Sequence, residues 1–239
     1  MKKSFVLLFC VLMSSSVAAK DMDERDKPVM NIFAIQVKAD QRLNYDRIAR
    51  HTISTSVDLE AGTLAMYSLK RKDNAHQAYM VELYENREAY RHHLDGAPYK
   101  AFIASAPDII AQKQQITLTP QFLGDKHVIP DERTINNLVI VEVKPEFQET
   151  FKDIVLPEMA TSLNAEQGVL AMYAATDVKN IYRWYFYEVY ASEPDYQLHR
   201  QTPHFRDYIE QTAQMTVSKE SIPVSPVFLR NKGGLAFGE

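Results

Sequence analysis

The chain has 239 residues, 46% of them apolar, with 27 basic residues against 31 acidic ones and a net charge of −4. That length allows one or two globular domains, and the composition is not that of a disordered chain. The acidic balance argues against nucleic acid or an anionic lipid surface as a partner.

Residues 1–19 read as an export signal. "MKK" is a basic start, "SFVLLFCVLM" an apolar run too short to span a bilayer comfortably, and "SSSVAA" a small-residue end with Val17 and Ala19 at the cleavage positions. Phe9 before Cys10 is too bulky for a lipoprotein signal. Cleavage after Ala19 removes Lys2 and Lys3 and no acid, so 25 basic residues then face 31 acidic ones. It also removes Cys10, the only cysteine, and with it any disulfide, thiolate metal site or cysteine nucleophile. No later stretch is long and apolar enough for a membrane helix, so a periplasmic or secreted protein with no membrane insertion is expected.

The next feature is a repeated phrase. "EAGTLAMY" at residues 60–67 returns as "EQGVLAMY" at 166–173, 106 residues later. The same offset holds from Val37-Lys38 and Val143-Lys144 to Phe122-Leu123 and Phe228-Leu229. The chain is therefore a tandem duplication with a period too long for a solenoid. The copies span about 29–124 and 135–230. Residues 125–134, polar and containing Pro130, read as a linker, and residues 231–239 as a flexible tail.

Each copy carries the same elements in order. "NIFAIQV" and "NLVIVEV" are β-branched strands. A helix follows; in the second copy Phe147, Phe151, Ile154, Val155 and Met159 share one face, and Pro157 should kink or shorten it. "TLAMYSL" and "VLAMYAA" are strands, then "QAYMVELY" and "RWYFYEVY" after short polar turns. "SEPDY" (192–196) starts a second helix, with Ser192 as N-cap and Asp195 closing a capping box. That helix is expected to run through His199 and Phe205 to about residue 215, and a last strand to end each copy near Phe122 and Phe228.

The order β-α-β-β-α-β is the ferredoxin-like unit, an antiparallel sheet with both helices on one face. In "WYFYEVY" Trp184, Phe186, Glu188 and Tyr190 point one way and Tyr185, Tyr187 and Val189 the other. Neither face is polar, so both must be covered. The α+β fold expected is two such modules, sheets packed face to face, as an intramolecular pseudo-dimer.

Several side chains could carry chemistry. Glu82 and Glu188 are carboxylates inside apolar strands, either pocket acids with raised pKa or structural acids held by hydrogen bonds. His93 and His199 occupy equivalent helix positions; a proton acceptor, a metal or haem ligand, and a helix-face histidine hydrogen-bonded to a neighbour all remain open. His204 has no equivalent, because Pro98 stands in its place. No histidine pair has the spacing of a zinc motif, so no metal is expected. Tyr67, Tyr173, Tyr84 and Tyr190 either line an aromatic pocket or form core. The mature chain has no GxGxxG, GxxxxGK[ST] or GxSxG motif, which leaves nucleotide-binding folds and serine hydrolases without support.

"E-x-G-x-L-x-M-Y", then "E-x-Y", then "Y-x-x-H" and "TPHF" resemble the antibiotic biosynthesis monooxygenase family, which includes quinol monooxygenases and belongs to the dimeric α/β-barrel superfamily. The resemblance covers both copies and is closer in the second; the first has "GAPY" (96–99) where "TPHF" is expected. It implies oxygenation of quinols or other phenolic aromatics by O2 with no prosthetic group. It further implies His199 and His93 as bases, and Glu188, Tyr190, Glu82, Tyr84, Tyr173, Tyr67, His204 and Phe205 around the substrate, with Asn137 and Asn31 as amide donors. The alternatives are a non-catalytic protein for a small aromatic ligand, or a haem-binding one; relatives that ligate haem look to carry a tryptophan where Tyr84 and Tyr190 stand. Further pairing of two fused chains stays open.

Overall fold

The computed structural model describes Asp23 and residues 25–238. The export signal read from residues 1–19 lies outside the described residues. The first repeat comprises β1 (Val29–Val37), α1 (Arg42–Leu59), β2 (Thr63–Arg71), β3 (Gln77–Tyr84), α2 (Arg87–Asp95), α3 (Ala97–Ile109) and β4 (Ile110–Asp125). The second comprises β5 (Ile135–Val143), α4 (Gln148–Ala165), β6 (Val169–Asp177), β7 (Asn180–Tyr190), α5 (Glu193–His199), α6 (Pro203–Thr212), β8 (Thr216–Ile222) and β9 (Val224–Asn231), followed by the short β10 (Ala236–Phe237). Every strand pair is antiparallel.

Three expectations need correcting. Helix α4 runs unbroken through Pro157 and has the same 18 residues as α1, so the proline does not shorten it. The second helix of each repeat is two helices. In the first repeat the chain leaves helical geometry at Gly96 (ψ 150°), with Pro98 in the first turn of α3. In the second it turns at residues 200–202, and Thr202 caps α6 through Phe205 N, with Pro203 in the first turn. The tail is also tied down: Ala236 and Phe237 pair with Gly124 and Leu123, and Gly234 N donates to Asp125 O.

The sheet is continuous, in the order β8-β5-β7-β6-β4-β1-β3-β2-β9, with β10 on β4. Its two end strands are separated in the chain by Pro223 alone, so the sheet curls round on itself. The last strand of each repeat belongs to both halves. The first part of β4 pairs with β1, and its second part crosses to β6 in the other repeat. In the same way β8 pairs with β5 at home, and β9 crosses to β2.

The alternating side chains divide as their period of two requires. Tyr187 and Val189 join Tyr67, Val81, Leu83 and Tyr173 in one core between the two half-sheets. Trp184, Phe186 and Tyr190 face their own helices with Phe151 and Val155. Met66, Met80 and Tyr84 do the same with Tyr45, Ile53 and Phe102. A polar chain runs through the inner core: the Tyr67 and Tyr173 hydroxyls lie 2.8 Å apart, Tyr173 donates to Asp125 at 2.6 Å, and Asn231 Nδ2 donates to the same carboxylate at 2.9 Å. Asp125 and Asn231 are themselves 106 residues apart, at equivalent places in the two repeats. Burial raises both tyrosine pKa values well above their ordinary value, so these hydroxyls remain protonated donors.

The glycine of the repeated phrase is a close-approach residue. A Cβ on Gly62 would sit 2.3 Å from the Cβ of Ala89 in α2, and one on Gly168 would sit 2.4 Å from the Cβ of Asp195 in α5. Gly168→Ala should therefore push α5 off the sheet and destabilise the fold by ~1–3 kcal/mol. Urea unfolding of the variant against the parent checks this, and an unchanged midpoint would refute it.

Candidate active site

Each repeat carries, in the last turn of its first short helix, a histidine that is buried and tied to the glutamate opening the repeated phrase. In the first repeat, Asn86 caps α2 by accepting from Ala89 N, and His93 falls in the last turn. Its Nδ1 lies 2.8 Å from Glu60 Oε2, which also accepts from Thr63 Oγ1 at 2.6 Å. In the second repeat, Ser192 caps α5 by accepting from Asp195 N, and His199 is the last helical residue. Its Nδ1 lies 3.1 Å from Glu166 Oε1. The two histidines are each 1% exposed. A carboxylate on Nδ1 fixes the ring and favours the tautomer whose Nε2 accepts a proton.

The other repeat contributes to each dyad. Lys126, just past β4, donates through Nζ to Glu166 O at 2.6 Å, and Lys232, just past β9, donates to Glu60 O at 2.6 Å. The crossing strands thus deliver one ammonium group to each glutamate's backbone. Burial lowers both lysine pKa values, partly offset by the charges of Glu166 and Glu60 respectively.

Beside each histidine lies a cavity between sheet and helices. That of the first repeat is about 30 Å3 and is lined by Phe33, Met80, Glu82, His93, Tyr99 and Lys113, among others. That of the second is about 100 Å3, with Asn137, Glu158, Phe186, Glu188, His199 and Lys219 in its wall. Aromatic rings hold each imidazole: Tyr84 and Tyr99 are both 5.2 Å from His93, and Tyr190 and Phe205 are 5.4 and 4.6 Å from His199. Tyr84 donates to Glu82 at 2.7 Å, and Tyr190 donates to Glu188 at 3.0 Å. Asn137 Nδ2 donates to Glu188 at 3.3 Å.

The residues anticipated from sequence divide into two sets. His93, Glu82 and Tyr84 come together in one repeat, and His199, Glu188, Tyr190, Asn137, His204 and Phe205 in the other. Tyr67 and Tyr173 do not join them, because their strand positions aim them into the core between the half-sheets. Asn31 stands opposite Glu82 across the β1–β3 pair, where it accepts from the Gln115 amide at 3.1 Å rather than bonding Glu82, and it also lines a wider open groove. Sequence reasoning gave no role to Glu60 and Glu166, although the repeated phrase displayed both. It also missed Lys113 and Lys219, which the 106-residue offset could have found. Glu158 has no such signal, because Thr52 is its counterpart.

The sites differ in charge. Burial pushes the Glu82 carboxyl pKa up, against the charges of His93 and Lys113 and the Tyr84 hydrogen bond. Burial likewise tends to raise Glu166, but hydrogen bonds from His204 and His199 outweigh it and hold the pKa below 4.5. Glu158, 8% exposed, is pushed from 4.5 up to about 7 by burial, with the Ser162 hydrogen bond opposing and the charges of Glu188 and Glu166 adding. A carboxyl group raised in this way favours the fold most below about 4.5, and that advantage is lost as the pH climbs through about 7. Glu158→Gln should therefore be more stable than the parent at pH 8 by up to ~2–3 kcal/mol, with the gain fading by pH 5. Denaturant unfolding at the two pH values tests this; an equal effect at both would contradict it.

The antibiotic biosynthesis monooxygenase family matches the chain twice, over residues 28–105 and 135–211. A solved structure from Lactobacillus acidophilus NCFM, provisionally assigned as a monooxygenase, is similar with a TM-score of 0.84 and 29% identity, over 88% of this chain and 99% of that one. Another with the same provisional assignment, from Fusobacterium nucleatum subsp. nucleatum ATCC 25586, has a TM-score of 0.84 and 28% identity over 89% and 98%. An anthrone oxidase-like protein shares the fold at 13% identity and a TM-score of 0.55, over 89% and 97%. Among curated proteins none matches the chain. With a family match over more than half its residues and the same double architecture, the chain belongs to the antibiotic biosynthesis monooxygenase family, as a tandem duplicate.

Proposed function

We propose that the chain is an exported monooxygenase that uses O2 to oxidise quinols or other electron-rich phenolic aromatics without a prosthetic group. The observation that carries this reading is the buried glutamate–histidine dyad at an aromatic-walled cavity. Glu166 fixes Nδ1 of His199, which leaves Nε2 as the proton acceptor for a phenolic hydroxyl. Tyr190, Glu188 and Asn137 form a hydrogen-bonded row that can orient the substrate's oxygens. Lys219 supplies positive charge in the same wall, suited to an anion developing on the ring or on reduced oxygen.

The electrons come from the substrate. A quinol losing two electrons and two protons becomes a quinone, one oxygen atom enters as a new ring hydroxyl, and the other leaves as water. No external reductant is needed. The protein's part is to take the first proton, exclude water and stabilise charge.

Size favours the second pocket. A cavity of about 150 Å3 holds a benzene ring elsewhere, and about 15 Å3 holds a water. At about 100 Å3 the second pocket is close to one ring, whereas about 30 Å3 in the first leaves room for water alone. Haem is far larger than either.

Oxygen uptake with reduced benzoquinols and naphthoquinols, corrected for autoxidation, tests the function. Chelator-resistant uptake is expected, falling ~10^2-fold or more in His199→Ala and far less in His93→Ala. Uptake no faster than autoxidation across the panel, or a fully active His199→Ala, would overturn it. Export predicts a purified native protein whose N-terminus is Lys20, read by N-terminal sequencing; a retained Met1 would contradict it.

A further inference from the structure

The second pocket holds a group of side chains that the first lacks. Glu158 from α4, His199 from α5 and His204 from α6 present donor atoms that all lie within 4.8 Å of one another. Glu166, at the end of α4, stands among them, with Oε1 2.7 Å from His204 Nε2 and 3.1 Å from His199 Nδ1. In the first repeat Thr52 replaces Glu158 and Pro98 replaces His204, so only the dyad remains.

We infer that Glu158, His199 and His204, with Glu166 as the carboxylate that holds the two imidazoles, form a site for one borderline divalent cation such as Zn2+ or Co2+. Two imidazoles and one or two carboxylates are the donor set such ions take. Ligands of a tetrahedral zinc, each about 2.0–2.1 Å from the metal, lie about 3.3 Å apart. The three donor atoms, all within 4.8 Å of one another, have to close by about 1.5 Å at most to reach that spacing. An entry path exists, because the His204 side chain is 23% exposed while His199 is sealed at 1%. A cation on Nε2 of His199 takes the accepting lone pair, and one on Nδ1 leaves the proton on Nε2, so occupancy of either nitrogen takes away the base proposed above.

The test is a titration of the chelator-stripped, purified chain with Co2+, followed by visible absorption and by calorimetry, without substrate. One equivalent should bind with the absorption of low-coordinate cobalt, and Zn2+ should displace it. His204→Ala, at a part-exposed position, should weaken binding roughly 10-fold or more, and Glu158→Gln should do likewise. His93→Ala should bind as the parent does. No saturable binding, undiminished binding in His204→Ala, or loss in His93→Ala would overturn the inference. Because no turnover is measured, failure of the oxygenation reading and failure of the cation site are distinguished.

Discussion

Two apolar faces on one small sheet set the problem that the rest of the molecule solves. Helices cover one face, and only another sheet of the same kind covers the other, because a repeat of this size buries too little surface alone. Facing sheets would still leave strand edges with open hydrogen-bonding groups. The crossing strands reduce them: β4 completes the second half-sheet and β9 the first, which leaves only β8 and β9, joined through Pro223, as the ends of the described sheet. Folding of either half is thereby tied to the presence of the other.

The chemistry is coupled to the same exchange. The residue just beyond each crossing strand, Lys126 or Lys232, reaches the backbone of the glutamate that holds the opposite histidine. The repeated phrase serves the site through that glutamate, serves the packing of α2 and α5 through its glycine, and serves the inner core through its final tyrosine. One eight-residue stretch therefore links the site, the helix layer and the seam between the halves.

Much of this was legible in the sequence because it depends on local period. The alternation along residues 184–190 gave the two faces correctly, and the 106-residue offset gave the duplication. The strand exchange was not legible, since a strand that crosses to another half has the same pattern as one that stays home. The helix breaks at Gly96 and before Pro203 do carry signals, a glycine and two prolines at the first turns of α3 and α6. Residue type leaves Tyr67 and Tyr173 open between pocket and core, and only the family resemblance puts them around the substrate; their register puts their hydroxyls 2.8 Å apart on the far side of the sheet. Glu158 was invisible because helix α4 buries it among apolar neighbours without any repeat partner to mark it.

The pairing of Asp125 with Asn231 has a consequence for the history of such chains. In a dimer of identical subunits, symmetry puts the same residue on both sides of the axis, so a carboxylate would meet a carboxylate or an amide an amide. Fusion lifts that requirement, and here the two equivalent positions have become a donor and an acceptor for one another. Once they have diverged, the halves are no longer interchangeable: two copies of the first would bring two like charges together in the core, and two copies of the second would leave Tyr67 and Tyr173 without their carboxylate. The duplication has become a one-way step, held in place by a single buried hydrogen bond between residues that began as the same.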